Sequence, residues 1–298
     1  MNPKSTYSAL ALTALATALS VPAHAQTTLD KVKASGSISV AYRESSIPFS
    51  YLDDKAQPVG FGVDICDRIV DEVKKATGRA DLKVTRQSVT SANRIPLLVN
   101  GTIDIECGST TNNSDRAKQV TFATNYFYTG TRFLVKADSG IKGLADLNNK
   151  VVVSTTGTTN FRIMRNLITE QKLPIELLAA KDHSESALLV ESSRAAAFAM
   201  DDILLYGLRA SAQNPASLAV VGEPIQVEPY AIMLRREDPT MKALVDGVLA
   251  GLMKSGEFTR LYTKWFQSPI PPRGINLNAP MGKELVENMK VLSDKPAT

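Results

Sequence analysis

The feature that most constrains this chain is an alternation that occurs twice. From Ser37 onward, short apolar runs of strand length take turns with helix-length amphipathic segments, the pattern of a mainly parallel sheet covered by helices. The first series predicts strands SISVAYR (37–43), LKVTRQS (82–88) and TIDIEC (102–107), helices over 62–76 and 93–99, and a turn at Asn100-Gly101. The second predicts strands VVVSTTG (151–157), IELLAA (175–180) and AAAFAM (195–200), with helices over 161–170, 185–192 and from Asp202. TGTRFLVK (129–136) and QVEPYAIMLRR (226–236) bracket the second series, so they are expected to cross between two lobes; helices over 241–255 and 258–266 follow. The class is α/β, with residues 26–129 and 226–298 in one lobe and 130–225 in the other. The stretch SPIPPRGINLNAP (268–280) holds too much proline and glycine for a helix or central strand and is expected to wrap over the surface.

Residues 1–25 read as a secretory signal peptide: Lys4, an apolar run from Ala9 to Val21, then Ala23-His24-Ala25 as a small-x-small cleavage site. The run is too short to span a bilayer. A periplasmic, soluble chain starting at Gln26 is expected, with no cysteine at the cut for lipidation and length enough for two lobes. The net charge of +4 falls by one when Lys4 leaves; the excess is spread along the chain, which argues against nucleic acid as a partner. Of two histidines only His183 remains, so a multi-histidine metal site is excluded. Cys66 lies on the apolar face of the helix over 62–76, and Cys107 ends a buried strand. A disulfide could persist after export, but two separate buried thiols are the simpler expectation.

In open α/β sheets ligands settle beyond the carboxyl ends of the strands. Those positions hold Arg43 after the first strand, Ser91 to Arg94 after the second, and Gly108 to Thr111 and then Arg116 after the third. In the second series they hold Thr156 to Thr159, His183 and Asp201-Asp202. Singly, most have a structural role: Ser91 and Asn93 as N-caps, Asp201 or Asp202 as the cap of the next helix, Asp182 with Glu185 as a capping box. Arg94 is different, because a cation at a helix start opposes the helix dipole, and something negative should lie nearby. Three arginines and one aspartate suit a zwitterionic amino acid that bears a second carboxylate: one arginine and the aspartate grip the α-carboxylate and ammonium, and the surplus arginines take the second anion.

Together, RESSIPFSY, TSANRIPLL, NGTIDIECGSTTNNSDR, TTGTT, AAKDH, AFAMDD and KWFQSPIPP resemble the glutamate/aspartate-binding branch of the family 3 solute-binding proteins of bacterial ABC importers, over nearly the whole mature chain. The resemblance implies a monomeric protein of two lobes joined by two hinge strands, closing on L-glutamate or L-aspartate and docking on membrane permease subunits, without metal or cofactor. It further implies that Arg116 and Thr111 hold the α-carboxylate and Asp201 and Ser109 the ammonium. Arg43, Ser91, Arg94 and His183 would meet the side-chain carboxylate, and Gly157, Thr158 and Thr159 form a turn that closes over the ligand. The HSES segment after His183 and Cys66 depart from the family pattern without touching this clamp. The rival is a cyclohexadienyl-dehydratase-like enzyme on the same architecture, for which Asp201, His183, Glu106 or a Cys107–His183 pair would have to supply the chemistry.

Overall fold

The computed structural model describes residues 26–297, so the expected signal peptide lies outside the described residues. The chain opens with helix α1 (Thr28–Ser35), strand β1 (Ser37–Tyr42) and a small antiparallel sheet of β2 (Ser45–Ser46), β3 (Ser50–Leu52) and β4 (Pro58–Val59). Next come α2 (Phe61–Thr77), β5 (Lys83–Ser88), α3 (Arg94–Val99), β6 (Ile105–Glu106) and a 17-residue strand, β7 (Val120–Lys136). The second series is β8 (Val151–Thr155), α4 (Thr159–Glu170), β9 (Glu176–Ala180), α5 (His183–Glu191), β10 (Ala197–Asp201), α6 (Asp202–Ser211) and β11 (Leu218–Val221). Strand β12 (Val227–Arg235) then leads to α7 (Pro239–Ser255), α8 (Glu257–Phe266) and α9 (Lys283–Val291).

The strand order β5-β1-β6-β12-β7-β10-β8-β9 is built twice from one plan. In lobe 1, β1 runs parallel to β5 and β6; in lobe 2, β8 runs parallel to β9 and β10. The antiparallel strands β12 and β7 lie between the two sets. Strand β7 pairs with β12 from Val120 to Gly130 and with β10 from Thr131 to Val135, so one continuous strand serves both lobes. This arrangement turns the carboxyl ends of all six parallel strands toward the interlobe surface.

Local chemistry accounts for the helices that set these strands. Helix α2 buries Phe61, Ile65, Cys66, Ile69, Val70 and Val73 along one face and stops at Gly78, whose left-handed conformation suits a residue without Cβ. Helix α7 starts with Asp238 accepting from the Met241 amide, with Pro239 in the first turn where no N–H is needed. An aromatic cluster of Phe49, Phe61, Phe127, Tyr230, Tyr262 and Phe266 fills lobe 1 under these helices.

The sequence reading departs from the fold at identifiable places. Strand β7 begins at Val120, not near Thr129, and shows no polar-apolar alternation because nearly every residue in it is buried. Its internal polar groups are satisfied tertiarily: the Thr124 amide and hydroxyl both donate to Asp246, at 2.7 and 3.0 Å. Helices α1 and α9 and strands β2, β3, β4 and β11 are too short or too polar to have been read. The two cysteines are not free: Cys66 and Cys107 form a disulfide, with Cα atoms 5.9 Å apart. Both sulfurs are buried as expected, but Gly62 lets the start of α2 come so near β6 that an added Cβ would lie 2.6 Å from the Cys107 carbonyl oxygen. That approach, invisible in sequence spacing, brings the thiols together.

Candidate functional site

The strand ends of the two lobes meet: Arg43 reaches Asp182 and His183, Thr111 reaches Thr159, and Arg116 reaches Gly157. Arg43, Ser91, Arg94, Ser109, Thr111, Arg116, Thr158, Thr159, His183 and Asp201 are all buried, whereas Gly157, its neighbour Thr156, and Asn93 are exposed. Gly157 has φ +80°, and a Cβ there would lie 2.6 Å from the Ala92 Cα of lobe 1, so only glycine allows the two turns to meet.

One end of the site is organised around Arg43. Its Nη2 donates to His183 Nε2 at 3.3 Å and to Asp182 at 3.4 Å, across the lobe boundary. A guanidinium only donates, so Nε2 accepts and Nδ1 carries the proton, given to Thr155 Oγ1 at 2.9 Å. Thr155 then donates to Ser186, and Ser186 to the Asp182 carbonyl. Burial together with the Arg43 charge lowers the His183 imidazole to about 3, so it is neutral at physiological pH. Beside it, Arg94 opens α3, and the negative group expected near it is internal: Glu106 Oε1 lies 3.8 Å from Nη1. Glu106 is fully buried, and its Oε2 accepts from Thr110 at 2.5 Å. Asn93 does not cap α3; its side chain accepts from the Thr90 amide instead. Arg43 Nε and Nη1, Arg94 Nε and Nη1, and the Ser91 hydroxyl are buried without a hydrogen-bond partner among the described residues.

The other end is organised around Arg116, whose Nη1 donates to the Thr111 carbonyl at 3.0 Å and Nη2 to the Gly157 carbonyl of lobe 2 at 3.1 Å. The Thr111 hydroxyl donates to Glu228 at 2.6 Å, and Thr159 of lobe 2 donates to the same oxygen. Asp201 stands at the start of α6 without capping it, while Asp202 accepts from the Ile203 amide at 2.6 Å. The Asp201 carboxyl is thereby directed between the lobes, where Asn160 donates to it at 2.7 Å and the Tyr230 hydroxyl also donates. Burial, reinforced by the Glu228 charge, pushes Asp201 up to about 8. The Thr158 hydroxyl is committed to the fold, accepting from the Phe161 amide and donating to the Thr155 carbonyl. The Ser109 hydroxyl is buried and unpaired among the described residues. At the mouth, an ion pair joins Asp115 of lobe 1 to Arg162 of lobe 2.

A model of the bacterial extracellular solute-binding proteins, family 3, matches residues 38–268. The chain belongs to this family. It is 46% identical over 296 residues to the glutamate/aspartate import solute-binding protein of Escherichia coli K12, covering 99% of this chain and 97% of that one. It is 45% identical over 271 residues to the L-glutamate/L-aspartate-binding protein of Pseudomonas aeruginosa PAO1, covering 91% and 90%. Among solved structures, a mutant of ArgBP from T. maritima superimposes with a TM-score of 0.71 at 26% identity, covering 80% of this chain and 99% of that chain.

Against this family 3 background, the site contains residues that sequence reasoning passed over. Glu228 and Tyr230 sit on β12 and face the cleft; the signal was a glutamate inside the otherwise apolar run of a hinge strand. Asp182 does accept from the Ser184 amide as a cap, yet it also takes bonds from Arg43 and Ser45 across the lobes. In sequence Glu106 stands out only as a candidate acid or base of the rival enzyme, whereas its observed neighbours are Thr110 and Arg94. Asn160, second in α4, carried no sequence signal.

Proposed function

We propose that this solute-binding protein captures L-glutamate or L-aspartate between its lobes in the periplasm and delivers it to the permease subunits of an ABC importer in the inner membrane. The observation that carries the reading is the burial of three arginines on one interlobe surface, two of them with N–H donors that have no partner among the described residues. A buried guanidinium donor needs an anionic acceptor, and two such clusters at opposite ends of a cleft suit a dicarboxylate. In this reading Arg116 and Thr111 hold the α-carboxylate, and Asp201 with Ser109 holds the ammonium. Arg43, Arg94, Ser91 and His183 meet the side-chain carboxylate. A neutral His183 fits that role when its Nε2 accepts from Arg43, since it fixes the guanidinium plane without adding charge.

The division into 26–129 with 226–298 and 130–225, the cleaved segment 1–25 and the monomeric state belong to the same reading. Closure is a rotation about β7 and β12, for which the interlobe contacts at Gly157, Asp182 and Thr159 are the closed-side stops. The protein is a binding protein and not an enzyme, as are the relatives that match more than nine-tenths of its length. Cys107 is held in a disulfide, which removes the nucleophile a Cys107–His183 pair would need. Calorimetric titration of refolded, ligand-free protein tests the proposal. Glutamate and aspartate should bind far more tightly than glutamine and asparagine, whose amide NH₂ would face guanidinium donors; equal affinity for glutamine would overturn it.

A further inference from the structure

The match to the family model ends at residue 268, but the alignment with the E. coli relative spans 99% of this chain. The segment between those limits does more than wrap the surface. Helix α9 is anchored by buried Leu285 and Asn288, and Asn288 Nδ2 donates to the Asn125 carbonyl on β7 at 2.7 Å. Past it, Ser293 to Ala297 lies against β7 and the Asn112–Ser114 loop. The Asn125 amide donates to the Ser293 carbonyl at 3.0 Å and its side chain to the Lys295 carbonyl at 2.9 Å. Asn112 Nδ2 donates to the Asp294 carbonyl at 2.8 Å, the Ala297 amide to the Asn112 carbonyl at 2.9 Å, and Asn113 bridges to Ala297 in parallel.

The loop held in this way is the one that presents the α-carboxylate grip. Thr111 precedes Asn112, Asn113 Oδ1 accepts from the Arg116 amide at 2.9 Å, and Arg116 Nη1 donates back to the Thr111 carbonyl. Asn112, Asn113 and Asn125 are all buried, so their amides depend on these partners.

We propose that Ser293–Ala297 is a positioning strap: it bonds the rear of the Thr111–Arg116 loop and thereby fixes the arginine and hydroxyl that face the ligand. The inference rests on the reading of Arg116 and Thr111 as the α-carboxylate grip. Loss of a strap acting there weakens the binding of every α-amino acid in proportion, because the strap does not touch the Arg43 and Arg94 end.

The test is a chain stopped after Leu292 beside a full-length Ala297→Pro variant, which removes the one amide donated to Asn112. Glutamate, aspartate and glutamine are titrated against each, and the ligand-free melting temperature is recorded. The stopped chain should lose about tenfold in affinity for all three, with the glutamate-to-glutamine ratio unchanged, and Ala297→Pro should show a smaller loss of the same pattern. On an Arg116→Ala background, removing the strap should cost nothing further. Unchanged affinities with only a lower melting temperature would overturn the strap, as would a loss confined to acidic ligands. If the stopped chain does not fold, Ala297→Pro and Asn112→Ala in the full chain decide by the same criteria. Arg116→Ala separates the two readings: intact glutamate binding there refutes the grip itself, whereas weakened binding there, with affinity unchanged when the strap is removed from the otherwise native chain, refutes only this inference.

Discussion

The two ends of the interlobe site differ in how their polar groups are satisfied. Around Arg116 and Asp201 most groups already have partners: Arg116 is bonded to two carbonyls, Asp201 to Asn160 and Tyr230, and Glu228 to two threonines, leaving Ser109 Oγ, Asn160 Oδ1 and Glu228 Oε1 as exceptions among the described residues. Around Arg43 and Arg94, four guanidinium nitrogens and the Ser91 hydroxyl have none among the described residues. A ligand therefore exchanges bonds at the first end and supplies them at the second. Exchange yields little net energy per bond, whereas giving a partner to a buried charged donor relieves a desolvation penalty. The lesson is a division of labour: the Arg43–Arg94 end should set which side chain is accepted, and the Asp201 end should set how binding responds to pH.

The sharpest way to break this comparison is to remove one arginine from each end. Losing one partner of a buried charge pair costs about 2–5 kcal/mol, so Arg94→Ala should weaken glutamate by two orders of magnitude or so and barely move glutamine. Arg116→Ala should weaken both alike. Identical profiles for the two variants, measured by calorimetry, would erase the distinction between the ends.

A smaller effect comes from protons. An Asp201 carboxyl pushed up to about 8 is protonated near neutrality, while an ammonium ligand needs the carboxylate, so binding should release a proton. Glutamate affinity should then rise with pH toward about 8, by up to about tenfold per pH unit, and level off above. His183, lowered to about 3, does not titrate in that window and adds no slope. Titration in buffers of different ionisation enthalpy counts the proton directly, and Asp201→Asn should abolish its release. A flat profile would return Asp201 to an ordinary carboxylate.

The smallest expected effect on selectivity comes from the disulfide. Replacing Cys66 and Cys107 by serine should lower stability by about 2–4 kcal/mol and leave the glutamate-to-glutamine ratio unchanged, because the bond braces α2 and its sulfurs supply no hydrogen bond to either end. A thiol count in denaturant without reductant should be zero.

What the sequence disclosed, and what it hid, follows from the range of each signal. The parallel strands and the helices between them were legible because their apolar periodicity is local, and the strand ends pointed to Arg43, Arg94, Arg116, His183 and Asp201 without any coordinates. The length of β7 was hidden because burial on both faces removes the alternation that marks a strand. The Cys66–Cys107 bond, the Glu228 bridge and the strap across Asn112 were hidden for a different reason: they join residues 41 or more positions apart, and spacing says nothing about such distances. Hydroxyl roles were the least legible, since Thr158 and Thr159 are neighbours of one type and only one of them reaches a carboxylate between the lobes.

Strand β12 carries a consequence for time rather than affinity. Glu228 on this strand accepts hydroxyl protons from Thr111 of lobe 1 and Thr159 of lobe 2, and two residues on, Tyr230 donates to Asp201 of lobe 2. The pivot about which the lobes turn is thus wired to the residues they press together, and opening must break those bonds as well as the ligand's own. The residence time of a bound amino acid is accordingly set in part by a strand on which the closing motion turns, so the handover rate to a permease can be tuned there without altering which amino acid is chosen.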